Sequence, residues 1–166
     1  RTPSRYSPRT RMISIEQTAN RGGGKIWSMD SIREVAEIAS ANALSLHMDG
    51  ARLLNAVVAS GISAHEYAEP FDSVWIDLSK GLGCPIGAVL TGSNNFIQEA
   101  WQWKHRLGGA MRQAGVVASA GIYALEYNVD RLADDHRNAR LFSRQISDIP
   151  GIVVENEPVE TNMVYI

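Results

Sequence analysis

The residue that offers the clearest chemistry is Lys80, which lies between a run of alternating residues and a loop that contains three glycines. In that run Val74, Ile76 and Leu78 alternate with polar or aromatic residues, so we predict a strand with one apolar face. Lys80 would then lie at the carboxyl end of a strand, where open α/β sheets bind their ligands. Two interpretations follow: a lysine that supplies a reactive amine, or an ordinary solvated lysine in a loop.

A second polar group follows another predicted strand. Apolar and polar residues alternate from position 44 to Asp49, and a helix is predicted from 51 to 60, ended by Gly61. Arg52 falls in the first turn of this helix, close to Asp49. The two residues could belong to a binding site; alternatively, Asp49 only caps the helix and Arg52 only forms an ion pair with it.

Strands and helices alternate along the rest of the chain, which predicts a layered α/β fold with a mostly parallel sheet. A short strand begins at Met12. The turn 21–24 contains three glycines but lacks the spacing of phosphate-binding loops, so we interpret it as an ordinary flexible turn. The further predicted elements are a helix capped by Ser28 or Asp30, a strand at 86–90, helices at 96–107 and 111–125, an amphipathic helix from Leu132 to Pro150, and strands of a new unit at 152–154 and 162–166.

The composition is that of a globular protein, since 45% of the 166 residues are hydrophobic and 20% are charged. A formal net charge of −2 gives no field that would attract nucleic acid or an anionic membrane. No apolar run approaches the ~18 residues that span a bilayer, and the single cysteine, Cys84, fits a reducing compartment such as the cytoplasm.

Arg1, Arg5, Arg9 and Arg11 resemble a transit peptide in composition. A strand-like run follows them directly and there is no initiating Met, so we expect the chain to begin inside a larger protein.

Trp101 and Trp103 lie among the basic residues Lys104, His105 and Arg106. Interleaved aromatic and basic residues could bind single-stranded nucleic acid. On a slightly acidic chain, a helix packed in an interface is the favoured interpretation. Together with the small-residue helix that follows, it predicts a homo-oligomer and no nucleic-acid partner.

Lys80, Asp49 and Arg52 together match the needs of one cofactor. Pyridoxal 5'-phosphate requires a lysine amine for covalent attachment, a carboxylate beside its ring nitrogen, and donors for its phenolic and phosphate oxygens. Asp49 would remain ionised beside the positive ring nitrogen. A metal site on His47 and Asp49 is possible by spacing, but no further His or Cys ligand lies within the motif.

Three longer motifs carry a resemblance to a known family: His47–Ala56 (HMDGARLLNA), Leu78–Gly92 (LSKGLGCPIGAVLTG) and Leu107–Leu125 (LGGAMRQAGVVASAGIYAL), with EQTAN and RGGG before them and DDHRNA after. In this order and spacing they resemble the low-specificity L-threonine aldolases of the beta-eliminating lyase family, which are fold type I pyridoxal phosphate enzymes. The resemblance implies the three-layer, mostly parallel sheet of the large domain over residues 1–130. It implies a linking helix and the beginning of a small α+β domain over residues 131–166.

The resemblance also implies a role for each site residue. Lys80 would form the Schiff base, Asp49 would partner the pyridine nitrogen, and Arg52 would donate to the phenolic oxygen. Ser79 and Arg112 would assist the phosphate, Arg112 from this subunit or a neighbouring one. The implied reaction is retro-aldol cleavage of L-threonine, L-allo-threonine or a related β-hydroxy-α-amino acid to glycine and an aldehyde, in a dimer or a tetramer built from dimers.

The sequence departs from the family pattern at several positions. Ala19 stands where many members have a histidine, Ala110 replaces a glycine and His105 replaces a lysine, which puts the substrate preference in doubt. Family members also carry a phosphate-binding loop before the position of Arg1 and an arginine for the substrate carboxylate beyond Ile166. We therefore expect these 166 residues alone to be inactive. Two alternatives stay open: another fold type I lyase that acts on a different amino acid, and a non-catalytic paralogue or fragment.

Overall fold

The computed structural model describes residues 5–166, so Arg1 of the arginine-rich N-terminal segment lies outside the described residues. The described chain forms four strands and six helices. In chain order these are β1 (Met12–Glu16), α1 (Met29–Ala41), β2 (Ser45–Gly50), α2 (Leu53–Ser60), α3 (Ala64–Ala68), β3 (Ser73–Asp77), β4 (Ala88–Gly92), α4 (Asn94–Arg106), α5 (Gly115–Tyr127) and α6 (Leu132–Ser147).

The four strands form one sheet in the order β1-β2-β3-β4. β1 runs parallel to β2 and β2 runs parallel to β3, whereas β3 and β4 are antiparallel. Helix α1 connects the first parallel pair, and α2 with α3 connects the second, because parallel neighbours require a long crossover. The predicted α/β sheet with mostly parallel strands is therefore confirmed.

The two faces of the sheet differ in polarity. In β2, Leu46 and Met48 are buried, whereas Asp49 is half-buried on the other face. Asp49 is the register partner of Glu16 in β1 and of Trp75 in β3. Partners in adjacent strands project from the same side of a sheet. We call the side that carries Glu16, Asp49 and Trp75 the polar face.

The opposite face of the sheet is covered by helices. The strands supply buried aliphatic residues, and α1, α2 and α3 pack their own apolar residues against them. This core comprises Ile15, Leu46, Met48 and Val74 from the strands, Ile32 and Ala39 from α1, Leu53 and Ala56 from α2, and Tyr67 from α3.

Local signals set the ends of these helices. Ser28, rather than Asp30, is the N-cap of α1, because its Oγ accepts the backbone N–H of Ser31 at 3.1 Å. Gly61 ends α2 with φ 75°, as predicted for a left-handed C-terminal residue. The sequence patterns do not predict α3, although Ser63 and Glu66 form a capping box at its start.

The C-terminal segment, residues 155–165, lies against the glycine turn 21–24. The predicted strands at 152–154 and 162–166 are wrong, because these residues form irregular backbone. Hydrogen bonds from side chains, and not a ladder of backbone hydrogen bonds, join the segment to the turn. Asn156 Nδ2 donates to the carbonyl of Gly23 and Thr161 Oγ1 donates to that of Gly24, both at 2.7 Å. The turn 21–24 is therefore a docking site and not an ordinary flexible turn.

Helix α4 lies at the surface of the described chain. None of its 13 residues is buried, and Trp101 and Trp103 are 54% and 57% exposed. No helix within residues 5–166 is both long enough and apolar enough to cross a lipid bilayer.

Candidate active site

Lys80 lies three residues beyond the end of β3, in the loop that leads to β4. The loop turns back through two backbone hydrogen bonds of 3.0 Å, from Cys84 N to Leu78 O and from Leu78 N to Gly87 O. Gly87 has a φ of 133°, a conformation that other residues rarely adopt. The Lys80 side chain is 37% exposed, so its amine is open to a ligand.

Asp77 fixes the direction of the Lys80 side chain. Lys80 Nζ donates to Oδ2 of Asp77, while the backbone N and the Oγ of Ser79 lie 2.8 and 2.6 Å from Oδ1. Burial alone would raise the pKa of Asp77, but the hydrogen bonds from Lys80 and Ser79 and the charge of Lys80 outweigh it and lower that pKa. Asp77 therefore remains an anion that holds both neighbours.

Trp75 connects Lys80 with the polar face. The ammonium nitrogen of Lys80 lies 5.4 Å from the centre of the Trp75 ring, within the range of a cation–π contact. Trp75 is also the register partner of Asp49. Lys80 and Asp49, the two strand-end groups that the sequence predicts, therefore share one face of the sheet.

Asp49 is half-buried at the end of β2 and is only partly satisfied by the protein. Its Oδ1 accepts the backbone N–H of Ala51 at 3.1 Å. Within residues 5–166 its Oδ2 has no hydrogen-bond partner. One oxygen of the carboxylate is thus held by the backbone, and the other is free to accept a hydrogen bond from a ligand.

Arg52 does not pair with Asp49. Its Nη1 lies 3.9 Å from Oε1 of Glu16 at the end of β1, and its backbone N donates to the carbonyl of Gln17 at 3.0 Å. Helix α2 begins at Leu53, two residues later than predicted, so Arg52 precedes the helix. The alternative of an ion pair between Arg52 and Asp49 is therefore wrong.

The structure separates the two residues predicted to assist a phosphate. Ser79 adjoins Lys80 and is hydrogen-bonded to Asp77. Arg112 lies exposed in the loop between α4 and α5, and no hydrogen bond or ion pair joins it to another residue of the described chain. Its role stays a prediction.

Behind Lys80 the loop packs closely against α2 and α6. A Cβ on Gly81 would lie 2.7 Å from Cδ2 of Leu132, so the loop can approach α6 only with a glycine there. Asn55 of α2 and His136 of α6, both buried, are joined by a contact of 3.1 Å between Nδ2 and Nε2. A cavity lined in part by Asn55, Gly81 and Leu132 has a volume of about 10 Å³, no more than one water molecule needs. It therefore has no room for a cofactor or a substrate.

Three residues around the site are missed by the sequence reasoning: Glu16, Trp75 and Asp77. A signal exists for two of them, because Trp75 and Asp77 alternate with apolar residues of the same strand and must project to its polar side. Glu16 ends β1, but only the register with β2 shows that it faces the segment of Asp49 and Arg52.

The groups at this site fit pyridoxal phosphate. An amine, a carboxylate with a free oxygen, a guanidinium and a hydroxyl are the partners that its aldehyde, ring nitrogen, phenolic oxygen and phosphate need. The Oγ1 of Thr18, just beyond β1, is a further buried polar atom without a partner in the described chain. In residues 5–166 no three His, Cys, Asp or Glu side chains are grouped so that they could hold a metal ion.

Comparison with known sequences gives a consistent result. The model of the family "Beta-eliminating lyase" matches residues 1–166. Low-specificity L-threonine aldolase 1 of Arabidopsis thaliana is 42% identical over 162 residues, which cover 98% of this chain and 45% of that protein. The low specificity L-threonine aldolase of Escherichia coli K12 is 42% identical over 158 residues, 95% of this chain and 46% of that protein. The chain thus spans about half the length of these curated relatives.

Solved structures agree with the sequence matches. A Listeria monocytogenes protein assigned as an L-allo-threonine aldolase matches with a TM-score of 0.84 and 29% identity, over 91% of this chain and 42% of that one. Threonine aldolase from Leishmania major matches with a TM-score of 0.80 over 98% of this chain and 47% of that one, and at 16% identity it shows the fold alone. The predicted fold type I architecture is confirmed, and the chain belongs to the beta-eliminating lyase family.

Proposed function

We propose that the complete protein is a pyridoxal 5'-phosphate-dependent aldehyde-lyase that cleaves L-threonine, L-allo-threonine or a related β-hydroxy-α-amino acid to glycine and an aldehyde. The observation that supports this most strongly is the position of Lys80 Nζ beside Asp77 and Trp75, on the face that carries Asp49. The identity to proteins named threonine aldolases favours this reaction among those of the family.

In this proposal each predicted site residue has a task in holding the cofactor. Lys80 Nζ would hold the cofactor covalently, and the free oxygen of Asp49 would accept a hydrogen bond from the protonated pyridine nitrogen. Arg52 donates to the phenolic oxygen. Ser79 assists the phosphate by turning its hydroxyl away from the Asp77 carboxylate, and Arg112 does so from this subunit or a neighbouring one. When bound, the cofactor supplies a sink for the electrons released as the substrate's Cα–Cβ bond breaks.

Lys80 also has a proton-transfer task. When its amine is free it can hold or move a proton at Nζ, and the Asp77 carboxylate keeps that nitrogen close to the polar face.

The test is borohydride reduction of the complete protein saturated with pyridoxal phosphate, followed by peptide mapping. We expect a pyridoxyl group on Lys80, and glycine with acetaldehyde as the products from L-threonine. Lys80→Ala should remove the label and lower kcat by about 10²- to 10⁴-fold. Arg33→Ala, at an exposed position of helix α1, is the control and should retain both.

Two other results would redirect the proposal. Release of ammonia or pyruvate in place of glycine would indicate a fold type I lyase with a different substrate. An unlabelled Lys80 in the saturated protein would indicate a non-catalytic paralogue.

We also infer a homo-oligomer, either a dimer or a tetramer. Helices α4 and α5 expose large apolar side chains, and Trp101, Trp103, Ile122 and Tyr123 are each more than half exposed. Exposed apolar groups in such number mark an interaction surface. Light scattering on the complete protein should give the mass of two or four chains, and a monomer at micromolar concentration would contradict the inference.

Two further proposals concern the domain boundary within the chain and the cellular compartment of the protein. Residues 1–130 belong to the large domain, and residues 131–166 form a linking helix with the beginning of a small domain; a proteolytic cut near residue 130 that leaves two folded parts would support this boundary. The free thiol of Cys84 supports a cytoplasmic location, which cell fractionation can test.

A further inference from the structure

Glu16 is the residue whose side chain meets Arg52. The side chain of Arg52 is 16% exposed and that of Glu16 is 35% exposed. Nη1 of Arg52 lies 3.9 Å from Oε1 of Glu16. A guanidinium is permanently charged and has a long, flexible stem. In the described chain Glu16 is the only acidic side chain that forms an ion pair with Arg52. The carboxylate of Glu16 is thus the negative charge of the described chain that the Arg52 guanidinium faces.

The second oxygen of Glu16 is held from another direction. Its Oε2 accepts the backbone N–H of Asn20 at 3.0 Å. Asn20 in turn is contacted by the hydroxyl of Tyr165, which lies 2.8 Å from the Asn20 carbonyl oxygen and 3.0 Å from its Oδ1. Tyr165 follows Asn20 by 145 residues and belongs to the docked C-terminal segment.

These contacts form a continuous series from the site to the C-terminal segment. Backbone bonds already join the strand ends, since Gln17 N donates to Asp49 O at 2.8 Å and Arg52 N donates to Gln17 O at 3.0 Å. Those bonds fix the backbone of Arg52 but not its guanidinium. The guanidinium faces Glu16, whose carboxylate contacts Asn20, and Asn20 contacts Tyr165.

We propose that Glu16 is a positioning residue for Arg52 and that Tyr165, acting through Asn20, sets the position of Glu16. The contact of Tyr165 with Asn20 and binding of the cofactor at Arg52 therefore stabilise each other, because coupling between two sites is reciprocal. The proposal rests on the function proposed above, in which Arg52 donates to the phenolic oxygen of pyridoxal phosphate.

The test compares three variants of the complete protein by titrating the cofactor-free form with pyridoxal phosphate. Glu16→Gln removes the charge that faces Arg52, and Tyr165→Phe removes one hydroxyl. Each should raise the Kd about 5-fold or more, and the double variant should be no weaker than the worse single one, since both act through one series.

Glu160→Gln is the matched control on the same segment. Glu160 pairs with Lys25 at 3.1 Å and accepts the backbone N–H of Ile26 at 2.9 Å, but it does not touch Asn20 or Glu16. This variant changes a contact of the segment that lies outside the series from Tyr165 to Glu16, and it should leave the Kd within about twofold of the wild type. Circular dichroism checks that each variant is folded, and Tyr165→Phe carries the test if Glu16→Gln fails to fold.

Three results would overturn the proposal: an unchanged Kd in Glu16→Gln, equal effects of Tyr165→Phe and Glu160→Gln, or additive effects of the two series variants. Failure of the proposed function is seen separately, as an unlabelled Lys80 in the wild type after borohydride reduction. In that case the unfolding free energies of the cofactor-free single and double variants still measure whether Glu16 and Tyr165 are coupled; additive values there would contradict the series itself.

Discussion

Two glycines with the same backbone conformation, Gly83 and Gly23, show how differently two glycine-rich segments of this molecule are built. Both have a φ of 75°. A Cβ on Gly83, in the loop of Lys80, would meet no heavy atom within 4 Å. A Cβ on Gly23, in the turn 21–24, would lie 2.4 Å from the Cβ of Asn156. The first glycine serves the backbone conformation alone, whereas the second also permits a close contact with the C-terminal segment.

The contrast between the two glycines shows how each part of the site is held. Lys80 is positioned by Asp77 and Ser79, which are within three residues of it in the chain. The turn 21–24 is held by side chains that lie 133 and 137 residues away, those of Asn156 and Thr161. The lysine therefore has a local support, and the surroundings of β1 and Arg52 have a distant one.

The largest expected effect comes from adding a methyl group to each of the two glycines. Gly83→Ala should cost about 1–2 kcal/mol of unfolding free energy, the strain of a left-handed backbone for a residue with a Cβ. Gly23→Ala should cost about 3 kcal/mol or more, because the same strain is joined by the overlap with Asn156. Chemical denaturation of the cofactor-free complete protein measures both losses. Equal losses would show that the turn 21–24 makes room for the added methyl group without cost.

The same contrast explains what the sequence could predict. The alternation around Leu46 and Val74 places Asp49 and Lys80 at neighbouring strand ends, because a period of two is a local property. The pairing of Arg52 with Glu16, and the docking of Asn156 on Gly23, join residues far apart in the chain, so no local pattern contains them. The predicted strands after residue 151 fail for this reason.

A second comparison removes one amide from each segment. Asn156 makes three hydrogen bonds, to the carbonyls of Gly23 and Met163 and from the N–H of Tyr165. Asn156→Ala leaves one buried and two partly buried backbone groups without partners and should cost about 2–3 kcal/mol. The side chain of Asn128 makes one hydrogen bond, from Nδ2 to the carbonyl of Leu82 in the Lys80 loop.

For Asn128→Ala we expect a loss of about 1 kcal/mol, since a single hydrogen bond to a partly buried carbonyl is removed. Both losses are read from denaturation curves of the same cofactor-free protein. A larger loss for Asn128→Ala than for Asn156→Ala would reverse the assignment of local and distant support.

The smallest expected effect is the pH dependence of the unfolding free energy, and it arises beside the Lys80 loop and not at the turn 21–24. His136 packs behind that loop, and its Nε2 must accept from Asn55 Nδ2, so the ring is neutral. Burial, and secondarily the charge of Arg140, lower the pKa of His136 from its ordinary value of 6.5, with partial opposition from Asp135. The unfolded chain therefore binds a proton at a higher pH than the folded one. The stability of the folded state is complete above pH 6.5 and declines as the pH falls below this value toward the lowered pKa.

His136→Gln tests this dependence, because glutamine can still offer an oxygen to Asn55 but does not titrate. The difference in unfolding free energy between wild type and variant should change with pH below 6.5, with a slope of at most about 1.4 kcal/mol per pH unit for one proton. Asn156→Ala, which loosens the other segment, should shift the whole curve without altering that slope. If the slope persists in His136→Gln and disappears in Asn156→Ala, the titrating group lies at the turn 21–24, and the loop of Lys80 is insensitive to acid.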